Sequence, residues 1–168
     1  MKRLTATAAL IGLALTAIAL PAQAVTTKLS SIVKAQLIYL IQEEKLARDV
    51  YAALAAKSMT PKFSNITQSE QTHMDALAVI LSTYGISNPT TGKKAGVFAD
   101  KGIAALYKSL VAKGSKSEID AIAVGVTIEE LDIKDIDKLS KSISQADIKF
   151  ALANLRKGSL NHLAAFKR

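Results

Sequence analysis

Four stretches of the chain repeat apolar side chains at alternating steps of three and four, the spacing that lays one stripe along a helix. The first stripe reads Val33, Leu37, Leu40, Glu44, Ala47, Tyr51 and Leu54, and the second Phe63, Ile66, Glu70, His73, Leu77, Ile80 and Tyr84. The third reads Ile119, Ile122, Val126, Glu129, Ile133 and Ile136, and the fourth Ile148, Leu152, Leu155, Ser159, His162 and Phe166. Each stripe is apolar or aromatic except at a single level. There it is broken by Glu44, by Glu70 with His73, by Glu129, or by Ser159 with His162.

Punctuation between the stripes sets the element boundaries. The pattern predicts a first helix from Leu29 to Ala56, then Thr60-Pro61 as an N-cap with proline at the first helical position. A second helix ends before Gly85, and residues 85–98 are rich in turn formers. Asp100 caps a short helix ending at Gly114, and a third long helix spans Lys116 to Lys141. Ser144 caps a fourth, from Gln145 to Phe166. Gly125 stands inside the third against helix propensity. The expected fold class is all-α: an antiparallel four-helix bundle of the ferritin-like kind, with one long crossover carrying a short extra helix.

The interruptions carry the chemistry. A carboxylate facing a core is costly unless it is paired, protonated or bound to a metal. Glu70 and His73 are three residues apart and project from one helix face, and Ser159 with His162 and Glu129 with Asp132 repeat that offset. The chain has two histidines, and both lie on stripes. The alternative is that both are core histidines and the acids form buried ion pairs with Arg48 or Lys45. Arg48, one turn beyond Glu44, is placed either to orient that carboxylate or to form a simple ion pair with it. Glu43 and Glu130 neighbour the stripe acids and are read as facing solvent or flanking the site. Tyr51 and Tyr84 are read as packing residues.

The N-terminus adds a location. Met1-Lys2-Arg3, an apolar run from Leu4 to Leu20 and Pro21-Ala22-Gln23-Ala24 have the form of a cleavable export signal. Residues 1–24 are therefore expected to be removed, leaving 25–168 as one domain in the periplasm or outside the cell, with no stable membrane insertion. Lys2 and Arg3 leave with the signal, lowering the formal charge from +8 to +6. The remaining basic residues are scattered, without the clustered face of a nucleic-acid binder, so none is expected as a partner. There is no cysteine, which excludes disulfides, thiolate ligands and a rubredoxin-type iron site.

Glu44-x-x-Ala47-Arg48-x-x-Tyr51 and Glu70-x-x-His73 resemble the first two helices of rubrerythrin-type di-iron proteins. Their third helix carries E-x-x-E where this chain has Glu129-x-x-Asp132, and their fourth carries E-x-x-H where it has Ser159-x-x-His162. The segments EEKLARDVY (43–51), SEQTHMDA (69–76), IEELDI (128–133) and GSLNHLAAF (158–166) more closely resemble a ferritin-like family, domain of unknown function 2202. That resemblance implies a metal-binding four-helix bundle without specifying an activity. The rubrerythrin pattern implies Glu44 and Asp132 as terminal ligands, Glu70 and Glu129 as bridging carboxylates, and His73 and His162 as nitrogen ligands. The expected cofactor is a dinuclear iron centre, with manganese or zinc as alternatives. The expected activity is an oxidoreductase acting on peroxide or oxygen, drawing electrons from an external donor because the chain holds no cysteine relay. The competing classes are non-enzymatic metal binding and a helical interaction module, and a homo-oligomer stays open in either. Ser159 departs from the pattern, since a hydroxyl cannot replace a bridging carboxylate. Asp132 reaches one methylene less than glutamate.

Overall fold

The computed structural model describes residues 28–57 and 60–168; the export signal read in residues 1–24 lies outside them. The described residues form five helices and no strand: α1 Ser31–Ala55, α2 Lys62–Thr83, α3 Lys101–Gly114, α4 Glu118–Ser140 and α5 Ala146–Phe166. None of these helices is long and apolar enough to cross a membrane. Side chains cap three N-termini: Ser30 accepts from the Val33 N–H, Asp100 from Ile103 and Ser117 from Asp120, each satisfying a donor the helix leaves unpaired. At α2 the N-cap position is Pro61, with Thr60 Oγ1 just before it accepting from the Lys62 N–H at 3.5 Å, and at α5 it is Gln145 rather than Ser144; neither Pro61 nor Gln145 makes a side-chain cap bond.

Helices α1 and α2 pack together, α2 packs on α5, α5 on α4 and α4 on α1, closing a ring. Two apolar clusters fill it. One gathers Val33, Leu37 and Ile41 of α1 with Leu77 and Leu81 of α2, Ile136 and Leu139 of α4, and Ile148 to Leu155 of α5. The other gathers Leu46 to Leu54 of α1 with Phe63 and Ile66 of α2, Ala121 to Ile128 of α4, and Phe166 of α5. The order in which each helix passes from one cluster to the other gives its direction. Helices α1 and α5 run one way, α2 and α4 the other, so every neighbour in the ring is antiparallel. The gaps between clusters, 42–45, 67–76, 129–135 and 156–165, each contain a stripe interruption, so the interruptions share one layer.

The crossover between α2 and α4 carries α3, whose Ile103 and Leu110 join the second cluster. Three α1 side chains fasten it. Gln42 Oε1 accepts from the Ala99 and Asp100 N–H groups at 3.0 and 2.9 Å. Lys45 donates to the Lys94 carbonyl at 2.9 Å, and Asp49 accepts from the Gly96 N–H at 2.9 Å. Lys45 and Asp49 also pair with each other while fully buried.

The stripe of α4 differs from the one the sequence predicts. Ile119 is 82% exposed, and the buried residues are Ala121, Val124, Gly125, Ile128, Glu129, Asp132, Ile136 and Leu139. The reason is aromatic. Phe166 packs at a tilt against Tyr51 and Phe63 at centroid distances of 5.5 and 5.3 Å, and its ring lies where a Cβ on Gly125 would stand. Small residues on α4, Ala121 and Gly125, make room for those rings, so the buried face there passes through them rather than through Ile119. Gly125 is buried helix for that reason, despite its propensity.

Candidate metal centre

Within the shared layer, Glu44, Glu70, His73, Glu129, Asp132, Ser159 and His162 are all buried. Glu70, on α2, is at the centre. One of its oxygens, Oε2, lies 2.9 Å from His73 Nδ1, and the other, Oε1, lies 2.9 Å from His162 Nδ1. Glu44 Oε2 of α1 approaches His73 Nδ1 at 3.2 Å, and Glu129 Oε1 of α4 approaches His162 Nδ1 at 3.5 Å. The two imidazoles lie 5.5 Å apart, their planes 30° from parallel.

These atoms form two sets of three, Glu44–Glu70–His73 and Glu70–Glu129–His162, with ligand atoms within 4.8 Å of one another in each. Either set can hold a metal ion, and Glu70 belongs to both. Asp132 is buried beside them but joins neither set, and its Oδ2 lies 2.5 Å from the Ser159 hydroxyl. Neighbouring groups fix the orientation of the rest. Tyr51 donates to Glu129 Oε1 at 2.7 Å, and Ser69 Oγ lies 2.9 Å from His162 Nε2, leaving Nδ1 turned to the carboxylates.

Hydrogen bonding within the protein does not satisfy this layer. Glu44 Oε1, Glu70 Oε1, Asp132 Oδ1 and His162 Nδ1 are buried without a hydrogen-bond partner. The 2.9 Å approach of Glu70 to His162 therefore lacks the alignment of a hydrogen bond, although the distance would permit one. Buried acceptors facing one another with an unpaired imidazole nitrogen are the donor set a cation would satisfy. Among the described residues no lysine or arginine pairs with these acids. Lys45 and Arg48 both pair with Asp49, and Arg48 also donates to Gln71. Arg48 therefore orients Asp49 rather than Glu44.

The protonation pattern reflects the same crowding. Burial, then the charges of Asp132 and Glu70, push Glu44 well above the ordinary carboxylate range. Burial lifts Glu129 to about 8 against the pull of His162, and lifts Asp132 to about 6 against the Ser159 hydrogen bond. Burial also works to raise Glu70, but the contacts and charges of His162 and His73 overcome it and hold the group near 2, at about 2. Burial works to lower His162, and Glu129 and Glu70 overcome it, raising the ring to about 10. The metal-free cluster thus retains protons that a bound cation would displace.

Lys45 is in a buried ion pair, as one alternative of the sequence reading had it, but with Asp49, which that reading did not single out. Glu43, expected to face solvent or flank the site, is 4% exposed, and Lys45 and Asp49 are buried beneath the crossover. A signal for the last two was present in their i,i+4 spacing, but not the loop that covers them. Glu130 is exposed and pairs with Lys167 at 2.9 Å. Tyr84 is half-buried, donating to Asp147.

The chain as a whole has relatives. The uncharacterized protein MJ0754 of Methanocaldococcus jannaschii is 50% identical over 135 residues, covering 80% of this chain and 73% of that protein. The crystal structure of hypothetical protein MJ0754 from Methanococcus jannaschii DSM 2661 superposes with a TM-score of 0.81 at 48% identity, covering 83% of this chain and 80% of that one. Residues 33–168, which hold every member of the buried polar layer, match the family described as "Uncharacterized protein domain (DUF2202)", and the chain belongs to that family.

Proposed function

We propose that this protein is a ferritin-like four-helix-bundle metal protein whose core holds two metal ions, iron in preference to manganese or zinc, and that it acts as an oxidoreductase on peroxide or oxygen. The observation that carries the reading is Glu70, which offers one carboxylate oxygen toward each imidazole and is common to both ligand sets. Glu44 and His73 hold one ion, Glu129 and His162 the other, and Glu70 lies between them. Asp132, with Oδ1 unpartnered, is the further carboxylate on the Glu44 side. The alternating helix directions and the single long crossover support the ferritin-like assignment.

Oxygen-rich ligation with two imidazoles suits iron or manganese, which when bound supply the electron-transfer chemistry. The chain's own residues bind and orient: Ser69 and Tyr51 fix His162 and Glu129, Ser159 holds Asp132, and the apolar clusters exclude water on both sides. With no cysteine relay, turnover draws on an external electron donor. Export to the periplasm or beyond is part of the proposal and rests on residues 1–24 alone.

The test is peroxide consumption by the chain beginning at Val25, loaded with iron and supplied with an artificial reductant. Consumption should scale with bound metal and vanish in Glu70→Ala. A fully loaded protein that consumes no peroxide and no oxygen would leave a metal-binding protein without this activity.

A further inference from the structure

Glu43 and Glu44 are neighbours in α1, so about 100° of helix rotation separates their side chains. Glu44 turns into the core, whereas Glu43 turns into a groove between α1 and α4. That groove has a volume of about 670 Å³, and its lining includes Ile32, Gln36, Tyr39, Glu43, Asp135 and Lys138. Glu43 is 4% exposed, yet neither of its oxygens has a hydrogen-bond partner, and Gln36 Oε1 in the same groove is likewise buried without one. All three atoms are acceptors. Asp135 lines the same groove, and Asp132 lies three residues before it on α4. Lys138, the cation lining the groove, is exposed and makes no ion pair with them among the described residues.

Buried polar oxygens left without a partner are costly, and oxygen ligands of this kind suit a hard divalent cation. The groove also leads somewhere. Asp132, one turn before Asp135 on α4, is buried in the layer that holds Glu44, and its Oδ1 is unpartnered. Acidic residues at adjoining positions of α1 and α4 thus face both places: Glu43 and Asp135 the groove, Glu44 and Asp132 the core layer.

We propose that this groove is the loading site of the core, where a hard divalent cation binds first at Glu43 and Asp135 and then passes by Asp132 to Glu44. The inference rests on reading the core as a cation centre. Occupancy in the groove is transient: it has one fully buried carboxylate, no imidazole and an ammonium group nearby, whereas the core offers four carboxylates (Glu44, Glu70, Glu129 and Asp132) and two imidazoles.

The experiment mixes metal-free protein (residues 25–168) with Mn²⁺ and follows loss of the EPR signal of the free ion over time. Three variants are compared with the unaltered chain: Glu43→Gln, Asp135→Asn, and Glu130→Gln as a control for net charge. Glu43→Gln and Asp135→Asn should each slow uptake by about tenfold or more, the scale on which a focused negative cleft accelerates cation capture, with the final stoichiometry unchanged. Glu130→Gln should load at nearly the unaltered rate. Loading of both groove variants at the unaltered rate would overturn the loading site alone, as would equal slowing in Glu130→Gln. A lower final stoichiometry in Glu43→Gln would also overturn it, by making Glu43 a resident ligand. An unaltered chain that takes up no Mn²⁺ at all would remove the cation centre, and the loading site with it.

Discussion

The imidazole of His73 is seated against the backbone of Gly158: a Cβ built on that glycine would stand 2.7 Å from the ring's Cε1 and closer still to Nε2. Glycine at this position in α5 is what lets the ring lie in the layer with Nδ1 facing Glu44 and Glu70. Gly158→Ala should displace the ring, costing about 1–3 kcal/mol through overpacking. It should also lower metal occupancy on the Glu44 side while sparing the His162 side. Thermal melting of the metal-free chain and metal analysis of the loaded chain check the two effects. Full occupancy in this variant would mean that His73 is not a ligand.

Ser159 lies against Asp132 in the layer, so its replacement tests the departure from the rubrerythrin pattern directly. Ser159→Glu would add an unpaired buried carboxyl beside Asp132 and destabilise the metal-free chain by about 3 kcal/mol or more. Added metal should recover most of that loss, because the new carboxylate becomes a ligand. Melting curves with chelator and with excess Mn²⁺ provide the comparison. Equal stability of the variant and the unaltered chain in chelator would place residue 159 outside the layer.

The metal-free protein has a predictable pH dependence. Glu43 is raised to about 9, with burial the leading cause and the charges of Asp135 and Asp132 next, and Glu129 is raised to about 8. Their unfolded values lie near 4.3, at about the ordinary glutamate figure. Between those limits the folded chain binds more protons than the unfolded one, so stability falls as pH rises. His162, raised to about 10 from an unfolded value of about 6.5, acts in the same direction over its own window. Glu70, held at about 2, is ionised in both states across most of this range and opposes the trend only in acid. In chelator the melting temperature should therefore decline from about pH 5.5 to about pH 8.5. With metal bound the decline should flatten or reverse, since ligands deprotonate more readily as pH rises. A metal-free melting temperature that climbs over this interval would contradict the assignment of retained protons.

Much of this molecule was legible in its sequence, and the limits have physical causes. The stripes of α1 and α5 are buried throughout, because large apolar side chains at three-four spacing identify a buried face when nothing competes with them. The stripe of α4 was misread because its buried face uses Ala121 and Gly125, whose smallness matters only once the Phe166 ring is in place. The burial of Glu43 and Asp49 was hidden for a related reason. A charge on a flanking helix face reads as solvated, and neither the crossover that covers Lys45 and Asp49 nor the groove that buries Glu43 is written in local periodicity. The two ligand sets likewise needed three dimensions. Spacing pairs Glu70 with His73, but only the packing of α2 on α5 brings His162 to the other oxygen of the same carboxylate.

The central claim is that Glu70 serves two cations at once, and metal content per chain tests it most directly. Purified without chelator or reconstituted with iron or manganese, the unaltered protein should hold about two equivalents, as two ligand sets sharing one carboxylate require. His73→Ala and His162→Ala should each retain about one, and Glu70→Ala should lose most of both. The account is contradicted if the unaltered protein holds no metal after reconstitution, or if Glu70→Ala retains as much as either histidine variant.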